Sequence, residues 1–153
     1  MITVRGSVDN PLGAKDAFAF LSSFENTPQW DPGTPVVEKL SSGPVAVGHR
    51  YHAQAQFNGK RQPIEYEVVE LSDRHMKLRG DHRKFVVYDS IDVHTRMRGS
   101  QVTYTAEFSL KGPAKLIEPL LKPVFMRLRD PAVNGLQRRL DSLASTRPGT
   151  PDR

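Results

Sequence analysis

Between residues 50 and 110 the chain alternates apolar and polar side chains at a period of two, interrupted at short intervals by turn-forming residues. A β-strand turns successive side chains to opposite faces, so this alternation builds strands with one buried and one solvated face. In residues 50–57, Tyr51, Ala53, Ala55 and Phe57 share one face, and Arg50, His52, Gln54 and Gln56 the other. Asn58-Gly59 follows, a strong signal for a two-residue hairpin. Ile64, Tyr66 and Val68 continue the apolar face over 61–71, and Met76 and Leu78 over 75–80. Phe85, Val87, Asp89, Ile91 and Val93 carry it over 84–94, and Val102, Tyr104, Ala106, Phe108 and Leu110 over 101–110. Short strands joined by tight turns predict an antiparallel meander whose apolar face needs a cover.

After Leu110 the period changes. From Pro113 to Leu143, Leu116, Ile117, Leu120, Leu121, Val124, Phe125, Leu128, Val133, Leu136, Leu140 and Leu143 recur at spacings of three and four, as in a helix with an apolar stripe. Pro119, Pro123 and Pro131 each remove a backbone donor. The expected helix is therefore segmented, with a short piece over 113–121, a main helix from about Pro123 and a bend at Pro131. Ahead of the meander, Ile2, Val4 and Val8 alternate against Thr3, Arg5, Ser7 and Asp9, which predicts a first strand. Ala14, Ala17, Phe18, Leu21 and Phe24 then have helical spacing, and residues 25–33, with Pro28, Trp30 and Pro32, suit a helical turn and a bend. These elements predict an α+β fold, a curved antiparallel sheet of six or seven strands around a long C-terminal helix, with two short helices after strand 1. It is expected to form one domain over 1–145. The polar residues 146–153, with two prolines and a glycine, are expected to form a disordered tail.

The 153-residue chain has no Cys, which excludes a disulfide scaffold, a thiolate metal site and a cysteine nucleophile. No apolar run approaches the ~20 residues that span a bilayer, and the first residues lack the apolar core of a secretion signal, so a cytoplasmic protein is expected. The net charge of +5 is unevenly carried: residues 111–153 hold nine of the 22 basic side chains but four of the 17 acidic ones. That basic segment is either a solvated helix face or a patch for an anionic partner such as a membrane surface. Nucleic acid is not expected, because the basic residues are not interleaved with exposed aromatics on one sheet face.

There is no phosphate loop, dinucleotide fingerprint or nucleophile elbow. The five His lack zinc-site spacing, and His49 and His52 fall on opposite strand faces, so neither metal nor cofactor is expected. What stands out is a polar set on the apolar face: Tyr51, Tyr66, Tyr104, and Asp89 between Val87 and Ile91. A carboxylate there must be hydrogen-bonded, shifted in pKa or wet. Asp89 is therefore either part of a ligand cavity, where it is a weak candidate for acid–base work, or a core residue satisfied by a Tyr or Arg. Trp30 is either a lid over a pocket mouth or a plug for the core edge.

The order strand, helix, helical turn, meander, long helix resembles the START-like, Bet v 1-type helix-grip superfamily. The stretch Phe20-Leu21-Ser22-Ser23-Phe24-Glu25-Asn26-Thr27-Pro28-Gln29-Trp30-Asp31-Pro32-Gly33 resembles the helix-to-Trp segment of bacterial SRPBCC proteins labelled polyketide cyclase/dehydrase. Val47-Gly48-His49-Arg50-Tyr51 and Tyr66-Glu67-Val68 resemble their sheet hairpins, and Val102-Thr103-Tyr104-Thr105-Ala106-Glu107-Phe108 their last strand. The likeness spans residues 1–143 and carries no catalytic motif. It implies a cavity between sheet and C-terminal helix. Trp30, Tyr51, Phe57, Tyr66, Met76, Leu78, Phe85, Val87, Asp89, Ile91, Tyr104 and Phe108 would line it from below, and Leu120, Leu121, Val124, Phe125 and Leu128 from the helix. Such cavities admit hydrophobic or amphipathic small molecules, so the expected function is non-enzymatic binding of a lipid, quinone or polyketide-like ligand. The alternatives are a cyclase or dehydratase using Asp89 and a tyrosine, and a regulator that binds partners through its surface. The three helix prolines would leave the first half of the helix loosely packed, as a portal.

Overall fold

The computed structural model describes residues 1–57 and 59–145. Seven antiparallel strands, β1 (Ile2–Asn10), β2 (Val36–Lys39), β3 (Arg50–Phe57), β4 (Lys60–Leu71), β5 (His75–His82), β6 (Phe85–Thr95) and β7 (Ser100–Leu110), form one sheet in the order β1-β7-β6-β5-β4-β3-β2. Each strand of the meander pairs with the next, and the first strand closes against the last, from Ile2 opposite Phe108 to Asn10 opposite Ser100. The inner parity is the one that the alternation predicts: Tyr51, Tyr66, Leu78, Asp89 and Ala106 all turn to the buried face. At the β3–β4 hairpin Phe57 pairs with Lys60 and Gly59 takes φ +76°, a left-handed conformation that suits glycine; Asn58 lies outside the described residues. The expected tail over 146–153 also lies outside them.

Helix α1 (Ala14–Ser22) buries Ala14, Ala17, Phe18 and Leu21, and a 3-10 turn (Phe24–Gln29) leads into the Trp30 bend; these are the two short helices after strand 1. The C-terminal helical region is divided differently from the expectation. A 3-10 segment (Gly112–Ile117) is followed by α2 (Glu118–Met126), and α3 (Arg129–Ser145) starts after a break at Arg127 and Leu128. The break does not fall at Pro123, which lies inside α2. Pro131 sits in the first turn of α3, and the break at Arg127 and Leu128 lies one turn ahead of it, where its ring would crowd a helical Arg127 carbonyl.

Helix α3 buries Ala132, Leu136 and Leu140 and lies along β1. Two glycines permit the approach. A Cβ on Gly6 would meet Val133 Cγ2 at 2.3 Å, and one on Gly135 would sit 1.9 Å from the Trp30 carbonyl oxygen. Because β1 is an edge strand, its outward backbone groups need partners. The Arg5 carbonyl accepts from Arg129 Nε at 2.6 Å, and the Asp9 carbonyl from Gln137 Nε2 at 2.8 Å.

Candidate functional site

A cavity with about 80 Å³ of free volume lies between the inner face of the sheet and the C-terminal helices. Its walls are largely apolar, with Ile64, Val87, Ala106 and Phe108 from the strands and Phe125, Leu128 and Ala132 from the helices. The polar groups are Asp31, Thr34, Tyr66, Asp89 and Tyr104, with Gln56 and Gln62. Among the described lining residues there is no Lys, Arg or His.

Each polar side chain arrives by a local cause. Asp89 holds the inner parity of β6, opposite Leu78 and Ala106. Tyr104 has the inner parity of β7, and its hydroxyl donates to Asp89 Oδ1 at 3.1 Å. Tyr66 comes from β4 and pairs across to Gly80 of β5. A Cβ on Gly80 would lie 2.6 Å from the Tyr66 ring and 2.7 Å from Val87, so the missing side chain is what lets the ring lie across β5. Asp31 ends the Trp30 bend as an Asx turn, in which Oδ1 accepts the Gly33 N–H at 2.8 Å and Oδ2 the Thr34 hydroxyl at 2.9 Å.

These surroundings set the protonation states. Burial pushes the Asp89 carboxyl from its usual 3.8 up to about 7, against the opposing pull of the Tyr66 and Tyr104 hydroxyls, and the charge of Asp31 adds to the rise. Tyr104 donates directly to Asp89 Oδ1, and the Tyr66 hydroxyl also favours the ionised carboxylate. Burial also raises Asp31, held back by the Gly33 and Thr34 hydrogen bonds. Both tyrosines lie well above their usual 10, through burial first and the Asp89 charge second, so they remain neutral donors. The site can thus donate a proton or a hydrogen bond to a carbonyl oxygen, or accept one from a hydroxyl. Two carboxyls without a neighbouring cation disfavour a ligand carboxylate at the same place.

A smaller recess, lined by Leu21, Phe24, Trp30, Met76, Leu78 and Ile91, lies beyond the polar group and shares Asp31, Thr34, Asp89 and Tyr104 with the cavity. The carboxyls and the Tyr104 phenol therefore form a polar partition between two apolar spaces. Trp30 is a plug: it is 6% exposed and stands edge-on to Tyr104 at 5.6 Å between ring centroids.

The sequence-derived lining set divides among several places. Phe57, Tyr66, Phe85, Val87, Asp89, Tyr104, Phe108, Phe125 and Leu128 line the cavity, and Trp30, Met76, Leu78 and Ile91 line the recess. Leu121 and Val124 face an outer groove, which shares Phe57, Phe85 and Phe125 with the cavity. The Phe125 ring lies 5.1 Å from Phe57, 6.1 Å from Phe85 and 4.7 Å from Phe108, so these rings stand between cavity and groove. Tyr51 does not reach the cavity; it is fully buried against Phe24, and its hydroxyl has no hydrogen-bond partner among the described residues. Leu120 does not reach it either: α2 turns Phe125 inward and leaves Leu120 76% exposed. Sequence reasoning missed Asp31, Thr34 and Gly80. Asp31-Pro32-Gly33 is turn text with an Asx signal, and an isolated Gly in a strand marks a close approach, but neither pattern says what the residue faces.

The sequence matches the family model described as polyketide cyclase/dehydrase and lipid transport over residues 1–146. No curated protein matches it. Among solved structures it is similar to the Zhui aromatase/cyclase from Streptomyces sp. R1128, with a TM-score of 0.78 and 14% identity over 97% of this chain and 98% of that one. It is also similar to a START superfamily protein from Mycobacterium smegmatis, with a TM-score of 0.76 and 14% identity over 92% and 98% of the two chains. The di-domain ARO/CYC StfQ of the steffimycin biosynthetic pathway gives a TM-score of 0.70 at 10% identity, over 95% of this chain and 52% of StfQ. At these identities the likeness is one of fold.

Proposed function

Because this chain belongs to the polyketide cyclase/dehydrase and lipid transport family, we propose that it encloses an apolar small molecule whose inner end carries a neutral hydrogen-bonding group. The supporting observation is the cavity itself, apolar in its walls and polar at one place, where Asp89, Tyr66 and Tyr104 converge. A quinone or polyketide-like carbonyl would take hydrogen bonds from the Tyr66 phenol and from protonated Asp89, while Tyr104 keeps its bond to Asp89 Oδ1. A fatty acid would bring a third carboxyl to Asp31 and Asp89 and is the disfavoured guest. Pockets that bury drug-sized ligands measure ~300–1,000 Å³, so such a guest would have to displace Phe125 and join the cavity to the outer groove.

Native mass spectrometry of the purified protein, with identification of any released molecule, tests this directly. Titration with quinones, aromatic polyketides and fatty acids follows, read by the fluorescence of Trp30, the single tryptophan, beside Tyr104. Binding of carbonyl ligands in preference to fatty acids is the expected result, and no binding of any of them defeats the proposal.

Acid–base catalysis of a cyclase or dehydratase type is a second proposal, supported by the Asp89 carboxyl near 7 beside a phenol donor. Conversion of a bound poly-β-ketone, lost in Asp89→Asn while binding persists, would establish it. Unchanged substrate after prolonged incubation would leave binding alone.

A further inference from the structure

We propose that the face formed by residues 112–126 and the tips of the β3–β4 and β5–β6 hairpins docks on an anionic lipid bilayer. Four of the nine large apolar side chains exposed among the described residues lie within one eleven-residue stretch of it: Leu116 is 86% exposed, Leu120 76%, Ile117 47% and Met126 36%. Leu116 lies at the end of the 3-10 segment and Leu120 in the first turn of α2, and neither lines the cavity or the groove. Exposed large apolar side chains this close together in the chain point to a contact surface rather than scattered solvent exposure.

Cations frame the patch. Lys60 and Arg61 from one hairpin, and Arg83 and Lys84 from the other, line the groove with Ile117, Leu121 and Val124, and no Asp or Glu lines it among the described residues. All four are exposed, and none forms a salt bridge among the described residues. Lys115 and Lys122 add two more from the helical side. The one acid of residues 111–129, Glu118, is turned inward, where it accepts from the Met1 amine and the Leu110 N–H. The exposed surface of the patch is therefore apolar at its centre and positive at its rim, the arrangement that seats a peripheral protein in an anionic interface. No described helix is long and apolar enough to cross the bilayer.

The docking face takes only Lys115 and Lys122 from the basic C-terminal run. On α3, Arg129 binds the Arg5 carbonyl and Asp130, and Arg139 lies over the Phe20 ring. The groove cations come instead from the part of the chain whose charges balance, and folding alone gathers them beside α2. Nucleic acid fits this surface poorly, because the exposed side chains at its centre are aliphatic and offer no stacking platform.

Flotation of the full chain with vesicles tests the docking and requires no cavity ligand, so its outcome is separate from that of the binding proposal. Vesicles of phosphatidylcholine with about one-third phosphatidylglycerol should carry the protein upward, and phosphatidylcholine alone should not. The Arg83→Ser and Lys84→Ser substitutions should each weaken binding roughly fivefold. The double variant Leu116→Ser/Leu120→Ser should abolish flotation while leaving the circular dichroism spectrum and melting temperature unchanged, since both side chains are already in water. Absence of flotation with anionic vesicles would overturn the proposal, as would flotation that the leucine variant does not alter. So would a concentration-dependent dimer that the leucine variant dissolves in place of flotation, which would assign the patch to a second copy of the chain.

Discussion

The Tyr104 hydroxyl donates to Asp89 Oδ1 at 3.1 Å across neighbouring strands, inside a cavity that has a second carboxyl and no cation among its described lining residues. The phenol stabilises the ionised carboxylate, while burial and Asp31 oppose ionisation. The balance places the proton of Asp89 where small changes in its neighbours decide whether it is held.

Stability should report this balance. The Asp89 carboxyl binds its proton more tightly in the folded protein, near 7, than in the unfolded chain, near 3.8. Its contribution to stability is therefore fully present below the lower value and is lost as the pH rises through the higher one. Asp89→Asn should raise stability by about 2–4 kcal/mol at pH ~8, and the gain should vanish by pH ~4. Paired urea melts across this range check the sign.

Tyr104→Phe removes the direct donor. The Asp89 midpoint should then move upward by about one pH unit. Trp30 fluorescence, 5.6 Å from the Tyr104 ring, follows the titration. An unchanged midpoint would mean that Tyr104 does not hold the carboxylate.

Gly135→Ala should destabilise the protein by about 1–3 kcal/mol, because a Cβ 1.9 Å from the Trp30 carbonyl oxygen forces α3 off the bend. Gly80→Ala should cost a similar amount and also displace the Tyr66 ring, weakening ligand binding beyond its effect on stability. Thermal melts and ligand titrations on the same samples separate the two effects.

Phe125→Ala removes the ring between cavity and groove. A loss of about 3–5 kcal/mol is expected from the vacated core volume, together with faster exchange of any bound ligand. Stopped-flow displacement on Phe125→Ala and on the milder Phe125→Leu would show whether exchange rate follows the size of the side chain rather than the stability.

Much of this arrangement is legible in the sequence, because strand parity is a strict geometric rule. Once residues 84–94 and 101–110 are strands with apolar inner faces, Asp89 and Tyr104 must share that face. Their hydrogen bond requires the register, which sequence alternation does not specify. The position of Asp31 beside them depends on how a 3-10 turn folds back over the sheet, which no periodicity encodes. Leu120 and Phe125 both fit an apolar stripe spaced at three and four, and only the rotation of α2, with its break at 127–128, decides which one faces inward. The two pairs of groove cations, Lys60-Arg61 and Arg83-Lys84, are more than twenty residues apart along the chain and outside the basic C-terminal run, so no local charge count could gather them.

The pairing of β1 with β7 joins residues up to 106 positions apart, Ile2 with Phe108, and their nearest partners, Asn10 and Ser100, are 90 apart. Contacts of such long separation are reached slowly, because the intervening chain must first be confined. β1 therefore waits for β7, and Val4 and Ala106, which face each other across this seam, line the cavity. The cavity therefore needs both this long-range seam and the docked C-terminal helices, so its appearance would report late steps of folding.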